Sequence, residues 1–289
     1  MGKEYSFTKM QGIGNDYIYF DCTRGNNAEI LANAANVSIK LSERHFGIGS
    51  DGMILLCDSD RADFRMRMFN ADGSESMMCG NGIRCLAKFA YDNGLTDKRV
   101  IDIDTLSGVK HITLMFDEND RPCGARVDMG APGFAAAALP VCAGVEQVIE
   151  MPLEIAPGRS EICTCVSMGN PHCVIFSDVI EDYDLVTLGN IMSSNKMLFP
   201  EGINTEIARV EPDGSITMRV WERGSGETFA CGTGSCGVLA AAVVTGRLKS
   251  RSATLHLLGG DLFDEWDEAT GSIFMTGAAV NSYRGVIEL

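Results

Sequence analysis

Two stretches of the chain place a cysteine just ahead of glycines, in a pattern that could do chemistry. Residues 74–85 have the sequence SESMMCGNGIRC, and residues 226–237 have GETFACGTGSCG. Glu precedes the cysteine by four residues in both stretches, and Gly follows it directly, at Cys79 and Cys231. A helical apolar pattern comes next in each case, so both cysteines are predicted to lie at helix N-termini.

Such a position would activate a thiol. The first backbone N–H groups of a helix have no partner within it, and the macrodipole is positive there. We therefore expect the thiol pKa to fall from about 8.5 toward neutrality, which supplies a thiolate. A thiolate and a thiol on opposite faces of a carbon could remove one proton and return another, which inverts a stereocentre without a cofactor. A single cysteine is more often structural, but its duplication favours this function.

The elements that position these cysteines are duplicated too. Residues 66–90 align without a gap with residues 218–242, an offset of 152 (218 − 66). Upstream, GNDYIYFD aligns with GNPHCVIFSD at an offset of 155 (169 − 14), and the segment from Phe46 aligns with that from Phe199 at an offset of 153 (199 − 46). Each half has the order strand, polar helix, two strands, cysteine helix, strands.

This repeat predicts the fold class and its division. We expect an α+β protein of two pseudo-symmetric domains, each a β-rich half-barrel or sandwich around a central helix, with the active site in the cleft between them. The central helices are predicted over Ile83–Tyr91 and Cys236–Thr245. The N-terminal half should span residues 1–130 and the C-terminal half 131–276, with the last segment, 277–289, returning as a strand to the first half.

The amino-acid composition limits the kinds of partner that the protein could bind. The 289-residue chain is 45% hydrophobic and 22% charged and carries a net charge of −15, which is typical of a globular protein and disfavours nucleic acid. The N-terminal MGKEYSFTKM lacks the apolar core of a signal peptide, and no segment is predicted to bind or span a membrane. Eleven scattered cysteines without an export signal indicate reduced thiols in the cytoplasm.

Other motifs carry less information. The GIGSDG segment at 47–52 precedes a strand instead of following one into a helix, which argues against dinucleotide binding. Cys163 and Cys165 lack further ligands at metal spacing, so packing is the preferred interpretation. Most other cysteines are predicted to be small buried side chains; these are Cys22, Cys57, Cys85, Cys123, Cys142, Cys173 and Cys236. The alternative from a different class is a thiol-based redox or metal-binding protein that uses Cys79 and Cys231, although their separation is unlike C-x-x-C.

Six motifs together resemble one family over essentially the whole chain. They are GIGNDYI, RHFGIG, FNADGSESMMCGNGIR, SMGNPH, INTEI and WERGSGETFACGTGSC. The chain thereby resembles the diaminopimelate epimerases, which need no pyridoxal phosphate. The resemblance implies that Cys79 and Cys231 are the acid/base pair, that no cofactor or metal is used, and that the protein is a homodimer of lysine and peptidoglycan precursor synthesis.

The resemblance also implies a set of positions that bind the substrate. Asparagines hold the amino-acid end that does not react, a Glu-Arg pair binds ammonium and carboxylate groups, backbone amides face the reacting carboxylate, and a histidine supports the site. These positions are Asn15, Asn70, Asn170, Asn204, Glu222, Arg223, Gly80, Asn81, Gly232, Thr233 and His172. Arg suits a bidentate carboxylate contact, and amide side chains both donate and accept. Asn15 and Asn170, beside glycines, could equally be turn residues.

One position departs from the pattern, and one alternative stays open. Gly52 stands where many members of the family have Gln, from which we expect at most an altered orientation of the substrate. The nearest alternative function is a cofactor-independent racemase of the same fold that acts on histidine, glutamate or proline.

Overall fold

The computed structural model describes residues 2–289 as many strands with few helices, which confirms the predicted α+β class. The strands are β1 (Glu4–Gly12), β2 (Asn15–Cys22), β3 (Gly52–Cys57), β4 (Phe64–Asn70), β5 (Glu75–Ser76), β6 (Val100–Thr105), β7 (Gly108–Phe116), β8 (Pro122–Asp128), β9 (Met151–Ala156), β10 (Arg159–Ser167), β11 (Pro171–Phe176), β12 (Asn204–Val210), β13 (Ile216–Glu222), β14 (Gly226–Thr228), β15 (Ser252–Leu257), β16 (Gly260–Trp266), β17 (Ile273–Ala278) and β18 (Val280–Glu288). The α-helices are α1 (Ala28–Ala32), α2 (Ala34–Ser42), α3 (Gly80–Asp92), α4 (Leu185–Ser194) and α5 (Gly232–Val244). Across the described residues, no helix has the length and apolar character needed to cross a membrane.

The chain divides into two compact units. The first runs up to Asp128 and includes Thr276–Leu289, and the second is Met129–Met275. The C-terminal strand β18 pairs antiparallel with β1, where Tyr5 lies opposite Ile287.

The two units repeat one pattern of strand pairing. In the first unit, β1–β2, β3–β4 and β6–β7 are antiparallel pairs, and β2–β3 and β4–β6 are parallel. In the second, β10–β11, β12–β13 and β15–β16 are antiparallel, and β11–β12 and β13–β15 are parallel. Tyr17 lies opposite Gly52 in the first unit, and His172 lies opposite Asn204 in the second. This correspondence confirms the predicted duplication.

A buried helix lies at the centre of each unit. Helix α3 packs against β1, β2, β3, β7 and β8, and its residues from Gly80 to Ala90 are all buried. Helix α5 packs against β10, β11, β12, β15 and β16. Its GTGSCGVLAAAVV sequence has no charged side chain, and most of its residues are buried. Helix α2 packs against β3 and β4, where Val37 and Leu41 join an apolar cluster with Phe20.

The burial predicted for the other cysteines is only partly correct. Cys22, Cys57 and Cys173 are buried, as are Cys85 and Cys236, but Cys123 and Cys142 are exposed. Cys123 occupies an outward position of β8, whose residues alternate between buried and exposed at its start. Cys142 lies between the strands β8 and β9, in a segment without regular strand structure.

Candidate active site

Each cysteine of the duplicated motif caps a central helix. Cys79 is extended (φ −130°, ψ 119°), and its Sγ accepts a hydrogen bond from the backbone N–H of Gly82 at 3.3 Å. Cys231 has the same conformation (φ −126°, ψ 110°), and its Sγ accepts from the N–H of Gly234 at 3.4 Å. The sulfur thus satisfies a donor that Ser or Thr satisfies in other helices. The predicted position at helix N-termini is confirmed for both residues.

Two short hairpins lead into these caps and explain the duplicated glutamates. Strand β5 pairs with β4, and Glu75 accepts two hydrogen bonds from Arg67, at 2.7 and 2.9 Å. Strand β14 pairs with β13, and Glu227 accepts two from Arg219, at 2.7 and 3.0 Å. Each forked ion pair ties the segment before a cysteine to a strand of the sheet, so these glutamates have a structural part.

In the first unit, Cys79 contacts the predicted Asn15. The Cys79 Sγ lies 3.2 Å from Asn15 Oδ1, and Asn15 Nδ2 donates to Asp51 Oδ2 at 2.7 Å. Tyr17 is buried beside them; burial raises the pKa of its hydroxyl, and the charge of Cys79 raises it further. The turn residue Asn15 thus belongs to the surroundings of the thiol.

The remaining predicted residues of this unit lie in the first turn of α3 and at the end of β4. Gly80 and Asn81 are buried and form the first turn of α3. Asn70 is the last residue of β4, and its Nδ2 donates to Ser74 Oγ at 3.0 Å.

Gly52 has a steric reason for its lack of a side chain. It lies opposite Asn70 in the β3–β4 pair, and a Cβ there would collide with the carbonyl oxygen of Phe69. The ring of Tyr17 would lie 3.1 Å from the same Cβ. A glutamine at this position therefore requires a shift of β4.

In the second unit, a continuous chain of polar contacts runs from Cys231 into the core. Its Sγ lies 3.5 Å from Thr233 Oγ1, which accepts from Asn170 Nδ2 at 3.2 Å. Asn170 Oδ1 is 3.0 Å from His172 Nε2, and His172 Nδ1 is 2.6 Å from Glu206 Oε1. The structure thus brings three predicted residues to Cys231. Glu206 was not predicted, although a glutamate within the strand-like sequence NTEIARV is a residue that needs a partner if it is buried.

The other predicted residues of this unit lie where β12 begins and β13 ends. Asn204 Oδ1 accepts a hydrogen bond from the backbone N–H of Arg223 at 2.9 Å. The Arg223 side chain donates to the carbonyl of Glu201 at 2.9 Å. Glu222 Oε1 accepts from Thr228 Oγ1 at 2.6 Å.

The expectation of a lowered pKa is wrong for Cys231. Burial raises the pKa of this thiol well above its usual value, and the carboxylates of Glu222 and Glu206 raise it further. Hydrogen bonds from Thr233 and from the Gly234 N–H act in the opposite direction and are outweighed. Gly232 and Thr233 open α5, but the favourable helix terminus is offset by desolvation and by two nearby carboxylates.

Metal ligation finds no support in the described residues. Over residues 2–289, no group of three or more His, Cys, Asp or Glu side chains has an arrangement that could hold a metal ion. Cys163, Cys165 and Cys173 belong to the apolar core of the second unit, as the packing interpretation predicted for the first two.

Comparison with known proteins identifies the family. The family model described as diaminopimelate epimerase matches residues 7–135 and 164–281. The chain belongs to the diaminopimelate epimerase family. A diaminopimelate epimerase of Acetivibrio thermocellus is 47% identical over 283 residues, which cover 98% of each chain. One of Methanococcus maripaludis is 45% identical over 286 residues, covering 98% of this chain and 99% of the relative. The predicted class, an isomerase, is confirmed.

Solved structures with the same fold extend beyond this family. A probable proline racemase of Agrobacterium radiobacter superposes with a TM-score of 0.71 at 14% identity, covering 98% of this chain and 92% of that one. A phenazine biosynthesis protein of the PhzF family from Bacillus anthracis gives a TM-score of 0.69 at 16% identity, covering 99% and 100%. At these identities the similarity is one of fold.

Proposed function

We propose that this chain interconverts LL- and meso-diaminopimelate without a cofactor, with Cys79 and Cys231 as the two bases. Membership of the diaminopimelate epimerase family supports the substrate. The observation that carries the mechanism is the shared geometry of the two cysteines. Each is extended, precedes a buried helix, and holds its sulfur against the N–H of the third helical residue.

The proposed reaction balances with these two thiols alone. One cysteine, as the thiolate, removes the α-proton and becomes a thiol, which leaves a carbanion at the α-carbon. The other cysteine donates its proton to the opposite face and becomes a thiolate, so the reverse reaction begins from the exchanged protonation states. The amides of Gly80, Asn81, Gly232 and Thr233 lie in the first turns of their helices, where N–H groups point toward the positive end of the helix, and we assign them to the reacting carboxylate, where they stabilise the negative charge.

The two cysteines differ in their resting states under this proposal. Because burial and two carboxylates raise the Cys231 pKa, Cys231 rests as the neutral thiol at neutral pH. We therefore assign the first proton removal to Cys79.

A second set of residues is proposed to bind the amino-acid end that does not react. Arg223 would bind its carboxylate through a bidentate contact, and Glu222 would bind an ammonium group. The asparagines read both charges of a zwitterion without adding a charge of their own, and His172 supports them. These asparagines are Asn15, Asn70, Asn170 and Asn204.

Proton NMR in deuterated buffer tests the reaction directly. Purified protein is mixed with LL-diaminopimelate under reducing conditions with no cofactor, and deuterium is expected to enter the α position as meso product forms. Cys79→Ala and Cys231→Ala should each lose the production of the other isomer. Cys85→Ala and Cys236→Ala are matched controls in the same two helices, one to two turns beyond the caps, and should retain it.

The same experiment separates the alternatives. If diaminopimelate is inert while histidine, glutamate or proline exchanges its α-proton, the two-base chemistry stands and the substrate is wrong. If no amino acid exchanges, the racemase function fails, and a thiol-based redox function takes its place.

We further propose that the protein works as a cytoplasmic homodimer in lysine and peptidoglycan precursor synthesis. The family resemblance supports this setting. Restored growth of a bacterial strain that lacks diaminopimelate epimerase would support the pathway, and light scattering during gel filtration gives the mass of the particle. A monomer mass or a failure to restore growth would contradict the respective part.

A further inference from the structure

A fully buried pair of a carboxylate and an imidazole is linked to Cys231 through Asn170 and Thr233. Glu206 and His172 both have 0% of their side chains exposed, and Glu206 Oε1 lies 2.6 Å from His172 Nδ1. No hydrogen-bond partner for the second carboxylate oxygen, Oε2, occurs among residues 2–289. A buried charge is costly unless it is paired, so this residue requires an explanation beyond packing.

The central helix is shaped to admit this pair. A Cβ at Gly234 would lie 2.9 Å from Glu206 Oε1 and 3.3 Å from Cys231 Sγ, so one helical position touches both the carboxylate and the thiol. One turn further, a Cβ at Gly237 would lie 3.5 Å from the Cβ of His172. The two glycines let Glu206 and His172 approach the first turns of α5 closely.

The corresponding pair in the other unit is different. His172 lies opposite Asn204 as Tyr17 lies opposite Gly52, which places Glu206 in the position of Ile54. Ile54 also lies beneath the third residue of its helix, since a Cβ at Gly82 would be 2.5 Å from Ile54 Cδ1. An aliphatic side chain therefore suffices at this position when only packing is needed.

We propose that Glu206 is a positioning residue of the two-base reaction: it orients His172 and, through Asn170 and Thr233, the thiol of Cys231. The Glu206 carboxylate and the Cys231 sulfur both lie against Gly234, so the negative charge of the carboxylate opposes ionisation of the thiol. This proposal rests on the proposed function. It makes the two cysteines inequivalent, because Cys79 has Ile54 where Cys231 has a carboxylate. Glu206 does not touch the reacting atoms in this scheme, and it acts only through its neighbours.

The titratable groups around Cys231 come from four elements and support this role of Glu206. Strand β11 contributes His172, β12 contributes Glu206, β13 contributes Glu222, and α5 contributes a second buried thiol, Cys236. Burial raises the pKa of Glu206, and His172 acts against that shift. The two carboxylates both favour the protonated form of Cys231, and Glu222 is the one that the substrate's ammonium group would neutralise.

The test measures thiol alkylation by iodoacetamide against pH, with Cys79 and Cys231 quantified in the same samples by mass spectrometry. Glu206→Gln removes the charge and keeps the shape, and we expect the midpoint for Cys231 to fall by about one pH unit while that for Cys79 stays. Asp261→Asn is the matched control. It breaks an exposed His256–Asp261 pair of the same unit, with a 2.8 Å contact, and should move neither midpoint.

Turnover gives a second measurement of the same residue. Glu206→Ile installs the residue of the other unit, removes both charge and hydrogen bond, and should lower kcat by about 10²-fold with little change in KM. Glu206→Gln, which can still accept from His172 Nδ1, should retain more turnover than Glu206→Ile. Equal loss in both variants would overturn the orienting part of the proposal.

A third measurement uses the unaltered protein and so does not depend on a variant that folds. All four histidines lie within the described residues 2–289, and among them His172 alone is buried. Its Nδ1 proton, held against the Glu206 carboxylate, should exchange slowly and resonate far downfield. Absence of that proton signal overturns the proposal. The proposal is also overturned if Glu206→Gln leaves the pH midpoint of Cys231 alkylation unchanged, or shifts it together with the midpoint of Cys79. If the unaltered protein catalyses no exchange, the proposed function fails, while the alkylation and NMR results still decide the position of Glu206.

Discussion

Two glycines of α5, one turn apart, give opposite expectations for the same substitution. At Gly237 a Cβ would meet His172 at 3.5 and 3.6 Å, which is ordinary van der Waals contact. At Gly234 it would meet Glu206 Oε1 at 2.9 Å and the Cβ and Sγ of Cys231 at 3.2 and 3.3 Å, so one of these groups must move. Both sites are helical, so both alanines gain the same backbone preference.

The magnitudes follow from these distances. Gly→Ala within a helix contributes about 0.8–1 kcal/mol. Gly237→Ala keeps that gain and should raise the unfolding temperature by roughly 2–4 °C, with activity retained. Gly234→Ala has to displace a buried carboxylate from its hydrogen bond to His172, which costs about 1–3 kcal/mol. Its net effect on the free energy of unfolding should range from about zero to 2 kcal/mol of destabilisation, and turnover should fall by about 10²-fold because the thiol moves.

Calorimetry of the unfolding transition and α-proton exchange in deuterated buffer measure the two effects on the same preparations. The reasoning requires the two variants to separate in both assays. If Gly234→Ala is as stable and as active as Gly237→Ala, the close approach of Glu206 and Cys231 to the helix is refuted. If both variants are stabilised but inactive, the two glycines are needed for flexibility of the helix, and not for the close packing of Glu206, Cys231 and His172.

Two further predictions concern ion pairs outside the reacting groups. Glu227→Gln weakens the forked contact with Arg219 that holds the hairpin before Cys231, so the free energy of unfolding should fall by about 1 kcal/mol in denaturant titrations; an unchanged value would show that the hairpin is held by its strand pairing alone. Burial alone would raise the pKa of Asp16, but hydrogen bonds from Arg44 and Lys9 outweigh it and lower the pKa. A carboxyl group whose pKa is lower in the folded than in the unfolded protein stabilises the fold at any pH above its unfolded pKa, which is about 3.9. This stabilisation is lost as the pH falls through the pKa of the folded state. Asp16→Asn should therefore flatten the fall in stability below about pH 4, and an identical acid profile in the variant would contradict the assignment.

The sequence located the central helices but began them too late. The helical pattern predicted a start at Ile83 and at Cys236, whereas the helices begin at Gly80 and Gly232. The intervening GNG and GTGS segments have poor helix propensity, which is why a pattern of apolar residues misses them. The cap hydrogen bonds to Cys79 and Cys231 bring these residues into the helix, so the first turn depends on the cysteine and not on intrinsic preference.

The expected lowering of the Cys231 pKa is wrong for a reason that lies outside the local sequence. A helix N-terminus is visible in the sequence, but the carboxylates that oppose it come from β12 and β13, in tertiary contact with the helix. Desolvation likewise depends on the packed unit. Local motifs thus predicted the place of the sulfur, and tertiary structure determined its charge.

Glu206, which the sequence analysis missed, was hidden by an alignment error of one position. At the offset of 153 between the segments from Phe46 and Phe199, Glu206 aligns with Met53, a member of the apolar cluster on the α2 side of the sheet. The strand register of the structure aligns it with Ile54, on the side of the central helix. Because successive side chains of a strand point to opposite faces, one residue decides whether this glutamate faces away from the thiol or toward it. In a duplicated chain, the corresponding positions that differ are the informative ones, and only the register of the hydrogen-bonded strands identifies which positions correspond.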